Sequence, residues 1–255
     1  MKIVVIGGTG LIGSKLIANL KEQGHEAVAA APNTGVNTIT GEGLADVLVD
    51  ANVVIDVSNS PSFEETAVMN FFQTSTRNLI AAEQAAGVTH HVALSIVGTD
   101  RVPGSGYLLA KLAQEKLIKE SSIPYSIVRA TQFFEFGKSI ADAATVDSTV
   151  HLPQASIQPM AADDVASAVG SVATGSPLNG TREIAGPERF RFDEFISQCL
   201  IARNDKREIV VDSHARYFGA ELDEGSLVPA GEAQLGPTYF KDWLERSNAV
   251  AAAKA

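Results

Sequence analysis

The chain has 255 residues, of which 45% are hydrophobic and 20% charged, which fits one large globular domain or a domain with a small lobe. Its formal net charge of −10 argues against a nucleic-acid or anionic-membrane surface, so neither partner is expected. The single cysteine, Cys199, cannot form an internal disulfide. The first predicted strand begins too early for a signal peptide, and no apolar run approaches the ~20 residues that a membrane span needs. These features predict a cytoplasmic protein.

The first predicted elements are a buried strand from Ile3 to Ile6 and a helix that begins at Leu11. The glycines of the intervening turn and first helical turn lack side chains where the backbone must bend and where a pyrophosphate approaches the helix N-terminus. This strand, turn and helix context predicts a dinucleotide site, whereas a tight turn without a ligand is the alternative. The expected contacts are Gly7, Thr9, Gly10, Leu11, Ile12 and Gly13.

Predicted strands and helices alternate along most of the chain, which indicates a parallel sheet covered by helices on both faces. The further predicted strands are 27–31, 36–40, 53–57, 91–95 and 125–129. The predicted helices are 11–22, 64–86, 107–119, 163–174, 193–202 and 239–245. We therefore predict an α/β fold with a Rossmann-type doubly wound parallel sheet and a small C-terminal substrate lobe.

The regular alternation loosens in the second half of the chain. We expect residues 1–132 to form the dinucleotide-binding core, 133–245 to contribute the last core elements and a small substrate lobe, and 246–255 to form a frayed tail. In such sheets the ligand lies at the carboxyl ends of the strands, so the lobe should select the substrate. Its apolar and aromatic side chains favour a small apolar or aromatic carbonyl compound, although they equally suit the core of the lobe. The substrate candidates are Phe133, Phe134 and Met160, with Phe136, Tyr217 and Phe218 as further candidates.

Ser95, Tyr107 and Lys111 are the candidate catalytic residues. Ser95 ends a predicted buried strand, and Tyr107 and Lys111 lie one turn apart on the same face of the next helix. A lysine ammonium beside a phenol lowers the phenol pKa from about 10, which suits proton exchange with a carbonyl or alcohol oxygen. We expect Ser95 to hold that oxygen, Tyr107 to pass the proton, and Lys111 also to reach the nicotinamide ribose. The alternative is an ordinary surface pair of Tyr107 and Lys111.

The segment after the second predicted strand bears on the choice of cofactor. Residues 27–41 contain no Asp, Glu, Lys or Arg, so no carboxylate is present there to chelate a ribose diol or repel a 2′-phosphate. Asn33 and Thr34 can donate hydrogen bonds to a phosphate, which favours NADP(H) over NAD(H). The adenine is expected near the end of the next strand. The residues predicted to contact it are Val57, Ser58 and Asn59.

Several of these motifs together resemble the short-chain dehydrogenase/reductase superfamily, and most closely its atypical, NmrA-like NAD(P)-binding branch, over roughly residues 1–245. The matching segments are Gly7-Gly8-Thr9-Gly10-Leu11-Ile12-Gly13, Ser95, Tyr107-Leu108-Leu109-Ala110-Lys111 and Ala161-Ala162-Asp163-Asp164-Val165-Ala166. The resemblance implies that Ala130 and Gln132 face the cofactor, at a turn where relatives often carry Arg-Pro. It also implies that Asn78 either orders a proton path or is an ordinary polar helix residue.

Three functions follow from the resemblance. Many NmrA-like proteins lack the tyrosine or the lysine and act as redox sensors, so retention of Tyr107 and Lys111 favours an NAD(P)H-dependent oxidoreductase acting on a small apolar or aromatic carbonyl, enone or quinone. A redox-sensing regulator without turnover is the first alternative, and a cofactor-dependent isomerase or epimerase is the second. The five histidines lack metal-ligand spacing, so no metal site is expected. The expected oligomeric state is a monomer or a homodimer.

Overall fold

A computed structural model describes the backbone of residues 1–252 and the side chains of residues 1–247. The strands are β1 (Lys2–Ile6), β2 (Glu26–Ala30), β3 (Val53–Asp56), β4 (His90–Ile96), β5 (Tyr125–Ala130), β6 (Thr145–Val146), β7 (Thr149–Leu152), β8 (Ser156–Ile157), β9 (Gly180–Ala185), β10 (Phe190–Arg191), β11 (Glu208–Val211) and β12 (Gln234–Leu235). The helices are α1 (Leu11–Glu22), α2 (Leu44–Val47), α3 (Glu65–Ala86), α4 (Gly106–Glu120), α5 (Gly137–Ala143), α6 (Ala162–Thr174), α7 (Phe192–Ile201) and α8 (Phe240–Ala252).

The centre of the molecule is a seven-stranded sheet in the order β12-β9-β5-β4-β3-β1-β2, in which every neighbouring pair is parallel. Alternate residues of β1 face opposite layers: Ile3 and Val5 pack with α1 and α6, whereas Val4 and Ile6 pack on the side of α2 and α3. Helices therefore cover both faces, and the predicted Rossmann-type fold is confirmed. The chain leaves β1 toward β2 on one side and returns to β3 on the other, which opens a crevice at their carboxyl ends.

The lobe is built around buried phenylalanines. Residues of β7, β8, α5, α7 and α8 enclose Phe192, Phe195 and Phe240, none of which is more than 1% exposed. Strands β6, β7 and β11 form a separate three-stranded sheet in this region. Among the helices that the structure describes, none is both long and apolar enough to cross a membrane.

Two sequence predictions about local structure need correction. The segment from Val36 to Thr40 is a loop and not a strand, since the Asn37 side chain accepts a hydrogen bond from the Ile39 amide and Asn78 donates to the carbonyls of residues 38 and 39. Asn78 thus fixes this loop. The predicted frayed tail, 246–255, continues α8 as far as Ala252, and its last positions, 253–255, lie outside the described residues.

Candidate functional site

The glycine-rich turn between β1 and α1 is held by close backbone contacts. Gly7 has φ +76°, a conformation that favours glycine, and its amide donates to the Ala30 carbonyl at 2.9 Å. A Cβ added to Gly13 would lie 2.2 Å from the Gly7 carbonyl oxygen, and one added to Gly8 would lie 2.7 Å from the Val5 oxygen. Only glycine therefore lets α1 approach the end of β1 this closely.

The N-terminus of α1 has the features of an anion site. Its N-cap, Gly10, provides no side-chain hydrogen bond, and the first turn carries no acidic residue. Thr9, Gly10 and Leu11 are exposed at this end, whereas Ile12 and Gly13 are buried and present only backbone. Free amide groups and the helix dipole at such an end favour a phosphate.

The loops that follow β2 and β3 adjoin this turn. A Cβ on Gly7 would lie 3.0 Å from the Ser58 backbone and 3.1 Å from Val57, so the end of β3 contacts the glycine turn directly. The Asn33 side-chain oxygen accepts from the Thr9 hydroxyl at 3.1 Å. The Thr34 hydroxyl instead closes its own turn, with the Ala31 amide and carbonyl both at 2.9 Å. In this structure the Thr34 hydroxyl therefore serves its own turn, and its predicted contact with a phosphate stays a prediction.

Tyr107 lies at the start of α4, whose N-cap is Ser105. Its hydroxyl donates to the Asn59 side-chain oxygen at 2.9 Å, on the loop that follows β3. Burial raises the pKa of Tyr107 to about 12, so the phenol is protonated at neutral pH. The sequence predicted that Lys111 lowers the pKa of Tyr107. This prediction is wrong, because burial raises that pKa and the Lys111 ammonium is bound to other groups.

Lys111 is buried between α4 and β4. Its ammonium donates to the Leu94 carbonyl at 2.8 Å and to the Gln114 side-chain oxygen, and lies 4.4 Å from the centroid of the Phe72 ring. Gln114 in turn donates to the Asp56 carboxylate at 2.9 Å. Burial lowers the pKa of Lys111 to about 8, although Asp56 and Glu115 act in the opposite direction. Within the described residues, no hydrogen bond joins Lys111 to Tyr107.

Ser95 belongs to a third, separate cluster. Its hydroxyl is 2% exposed and donates to the Glu115 carboxylate at 2.7 Å. Arg129 also binds Glu115 with two hydrogen bonds of 2.8 Å and reaches Asp100 at 2.7 Å. Burial opposes ionisation of Glu115, but the hydrogen bonds from Arg129 and Ser95 outweigh it and lower the pKa of the carboxyl. The Ser95 hydroxyl is thus engaged by Glu115, and among the described residues no hydrogen bond joins it to Tyr107 or Lys111.

The predicted substrate and nicotinamide residues follow β5. Phe134 and Met160 are each 1% exposed and belong to the packed core, which agrees with the alternative role of core residues. Phe133 is half-buried and stacks on Phe136 with ring centroids 5.3 Å apart. Ala130 ends β5 and is buried.

Gln132, two residues after β5, carries a buried polar atom without a partner. Its side-chain oxygen accepts no hydrogen bond among the described residues, although buried oxygens are normally paired. Such an acceptor fits an amide donor of a ligand in the crevice. The Gln132 oxygen, the N-terminus of α1 and the glycine turn together suit the binding of an NAD(P)(H) dinucleotide.

Sequence reasoning missed the partners that hold these side chains. Asp56, Gln114, Glu115 and Asp100 received no role, although a carboxylate that ends an apolar strand, as Asp56 does, is an available signal. Glu115 lies one turn beyond Lys111, and this spacing indicates a shared helix face. Phe63, in the loop after Asn59, carries no recognisable pattern and was also missed.

The glycine turn and the segments that follow it match a known protein family. A family model described as NAD(P)H-binding matches residues 7–174, which include the glycine turn, α4 and α6. The chain belongs to this NAD(P)H-binding family. The match confirms the NAD(P)-binding part of the resemblance that the sequence predicted.

Individual relatives differ in function. The photosystem II assembly factor Ycf39 of Synechocystis is 26% identical over 219 residues, which cover 78% of this chain and 67% of that protein. The dTDP-4-dehydrorhamnose reductase of Bacillus anthracis, solved with NADP, superposes with a TM-score of 0.70 at 18% identity, covering 96% of this chain and 97% of the other. The UDP-glucose 4-epimerase of Thermus thermophilus, solved with NAD, gives a TM-score of 0.71 at 16% identity, with 97% and 99% covered. These two structural likenesses show the fold alone.

Proposed function

We propose that this protein is an NAD(P)H-dependent oxidoreductase that reduces a small apolar or aromatic carbonyl compound, enone or quinone. The observation that carries the proposal is the position of the Tyr107 phenol. Its hydroxyl is bound to Asn59, one residue beyond Ser58, and Ser58 contacts the glycine turn. A protonated phenol therefore lies at the edge of the crevice that suits the dinucleotide.

In the proposed reaction, Tyr107, Asn59 and Lys111 have different roles. A bound NAD(P)H would supply the hydride for the carbonyl carbon. Tyr107 donates its proton to the oxygen, and the phenolate then recovers a proton from water. Asn59 orients the hydroxyl, and burial keeps it protonated. Lys111 is a positioning residue that ties α4 to β4, and Ser95 has no part in the proposed chemistry.

Substitution of Tyr107 by Phe tests this mechanism. The variant keeps the ring and loses the proton, so turnover should fall by a factor of about 10² to 10⁴ while the Kd for NADPH stays unchanged. Turnover is measured as the loss of reduced-cofactor absorbance with a panel of quinones and aromatic ketones. Tyr125→Phe, at the start of β5, is the matched control. Equal turnover of Tyr107→Phe and wild type would reject Tyr107 as the proton donor.

We further propose NADP(H) as the cofactor. The support is the absence of charged residues between 27 and 41, together with the position of Asn33 beside Thr9. Lys15 adds little to this preference because its ammonium is bound to Asp163 at 2.7 Å. A small-molecule substrate, a monomer or homodimer, and a cytoplasmic location remain predictions.

A second function, a redox-sensing NAD(P)H-binding regulator without turnover, is favoured by a specific observation. Lys111 and Ser95 are both engaged by buried side chains, and the relative Ycf39 is described as an assembly factor. Strongly different affinities for oxidised and reduced cofactor, without turnover of any carbonyl, would support this function. Conversion of a substrate without net change in cofactor absorbance would instead indicate an isomerase or epimerase.

A further inference from the structure

Four aromatic rings pack together around the ring of Tyr107, and we call Phe63, Tyr107, Tyr217 and Phe218 the aromatic cap. They come from the loop after β3, the start of α4 and a turn of the lobe. The ring centroids of Phe63, Tyr107 and Phe218 are 5.3 to 5.4 Å apart, and Tyr217 lies 4.7 Å from Phe218. Such distances are those of interacting aromatic pairs. The cap therefore lies at the proposed proton donor.

The turn that carries Phe218 is fixed at its base. The Tyr217 amide donates to the Ala220 carbonyl at 2.8 Å, and the Ala220 amide donates back at 3.1 Å. Ala220 is buried against Val102 and Leu108, in the loop before α4 and in α4 itself. Phe218 has φ +45°, a left-handed conformation that costs energy for a non-glycine residue. The fixed base leaves rotation of the Phe218 side chain as the way to open the cap.

The outer rings of the cap are exposed, unlike the core of the lobe. Phe63 is 55% exposed and Phe218 39%, whereas Phe192 and Phe195 of the core are fully buried. Exposed aromatic side chains that pack together beside a polar group are typical of a binding site.

The cap leaves no space between its rings for a substrate. The centroids of Tyr107 and Phe218 are 5.3 Å apart with an angle of 31° between their planes. A third ring between two others requires roughly 7 Å or more, twice the usual contact distance of carbon atoms. An aromatic ligand that stacks on Tyr107 where the Phe218 ring packs must therefore replace Phe218.

We propose that the Phe218 ring fills the ring site of the substrate, and that a planar aromatic carbonyl compound binds by displacing Phe218 and taking over its contacts with Phe63 and Tyr107. A substrate whose ring stacks on Tyr107 has its carbonyl group next to the phenol that donates the proton. This inference rests on the proposed reduction for its chemistry, but ring recognition is measurable without turnover.

Two variants with opposite expected effects test the inference. Phe218→Ala removes the competing ring, so the KM for an aromatic ketone or quinone should fall about two- to tenfold. Phe63→Leu removes a ring that the substrate contacts, so this KM should rise about two- to tenfold. The KM for an aliphatic ketone of similar size should change less in both variants. Tyr239→Ala is the control, because Tyr239 is also an exposed aromatic residue, 52% exposed, outside the cap.

Calorimetric titration of benzamide into the NADP⁺-loaded protein provides a readout that needs no turnover. Benzamide should bind more tightly to Phe218→Ala and more weakly to Phe63→Leu than to the wild type. If both affinities follow this order but no carbonyl is reduced, the ring site stands and the proposed reductase function fails. If reduction depends on Tyr107 but neither variant changes benzamide binding, the ring site is wrong and the reductase function stands.

Titration of the phenol gives a third readout. Phe218→Ala exposes Tyr107 to water, so the pKa of Tyr107 should fall from about 12 toward the ordinary value of 10.0. Subtraction of the ultraviolet titration of Phe218→Ala/Tyr107→Phe from that of Phe218→Ala isolates this one phenol. An unchanged pKa of about 12 would contradict the position of Phe218 as the cover of Tyr107.

Discussion

The two halves of the crevice are built from different parts of the chain. The nucleotide half consists of backbone from residues 7–13, joined by the loop ends of β2 and β3. The proposed substrate half consists of side chains from the loop after β3, from α4 and from the lobe turn at Phe218. The first half is thus contiguous in sequence, whereas the second exists only after distant segments have packed together.

Helix α4 shows what this difference means for function. Tyr107, Lys111 and Glu115 follow each other at one-turn spacing, yet each enters a different cluster. Their roles are set by Asn59, Gln114 and Arg129, which come from a loop, from α4 itself and from β5. Spacing along a helix places side chains on a face, but the partners on neighbouring elements decide their chemistry.

Removal of Glu115 is the largest perturbation that we expect. Glu115→Ala leaves the Arg129 guanidinium buried without its two-bond partner, which should lower the free energy of unfolding by about 3 to 5 kcal/mol. Ser95→Ala removes one hydrogen bond to the same carboxylate and should cost about 1 kcal/mol. Urea unfolding followed by circular dichroism measures both values.

The Ser95 variant also tests whether the substrate half includes this cluster. We expect Ser95→Ala to keep the carbonyl-reducing turnover of the wild type within about threefold, since the hydroxyl is bound to Glu115. A loss of turnover as large as that expected for Tyr107→Phe would show that Ser95 takes part in the reaction.

If Glu115→Ala lowers the free energy of unfolding by less than about 1 kcal/mol, the buried ion pair is not what stabilises this region.

The core of the fold was predictable from sequence because it rests on local patterns. Helix α1 has the predicted bounds, and β1, β3 and β5 differ by one residue at an end, since buried parallel strands are short apolar runs. The predicted strand from Val36 to Thr40 failed for a nonlocal reason. Its apolar residues are few, and Asn78 of α3 holds the segment as a loop through its carbonyls.

The candidate site was predictable only in its nucleotide half. Gly7, Gly8 and Gly13 are required by backbone contacts within one turn, which the sequence displays directly. The pKa of Tyr107 could not be predicted, because it depends on burial by rings far away in the chain. Lys111 was expected to face the cofactor, but Gln114 and the Phe72 ring hold its charge inside the fold.

Gly13→Ala perturbs the nucleotide half alone. The added Cβ would lie 2.2 Å from the Gly7 oxygen and 2.6 Å from the Gly8 Cα, so the turn must shift away from α1. We expect the Kd for NADPH to rise on the order of 100-fold, as measured by fluorescence titration. Gly231→Ala is the control, because a Cβ there meets no atom within 4 Å. Unchanged NADPH binding in folded Gly13→Ala would refute the turn as the phosphate site.

Asn33→Asp gives the smallest expected effect and tests the proposed choice of cofactor. The aspartate keeps an oxygen that can accept from the Thr9 hydroxyl, as the Asn33 oxygen does at 3.1 Å, but it replaces the amide NH2 donor with a second oxygen and adds a negative charge after β2. Since that charge repels a 2′-phosphate and suits a ribose diol, NADPH affinity should fall about tenfold while NADH affinity stays equal or rises. Asn33→Ala is the control, because it removes the amide without adding a charge. This variant should lower the affinity for NADPH and for NADH alike. If Asn33→Asp weakens NADPH and NADH equally, the 2′ position of the cofactor's ribose does not lie near Asn33. If the wild type binds NADH more tightly than NADPH, the proposed preference for NADP(H) is wrong.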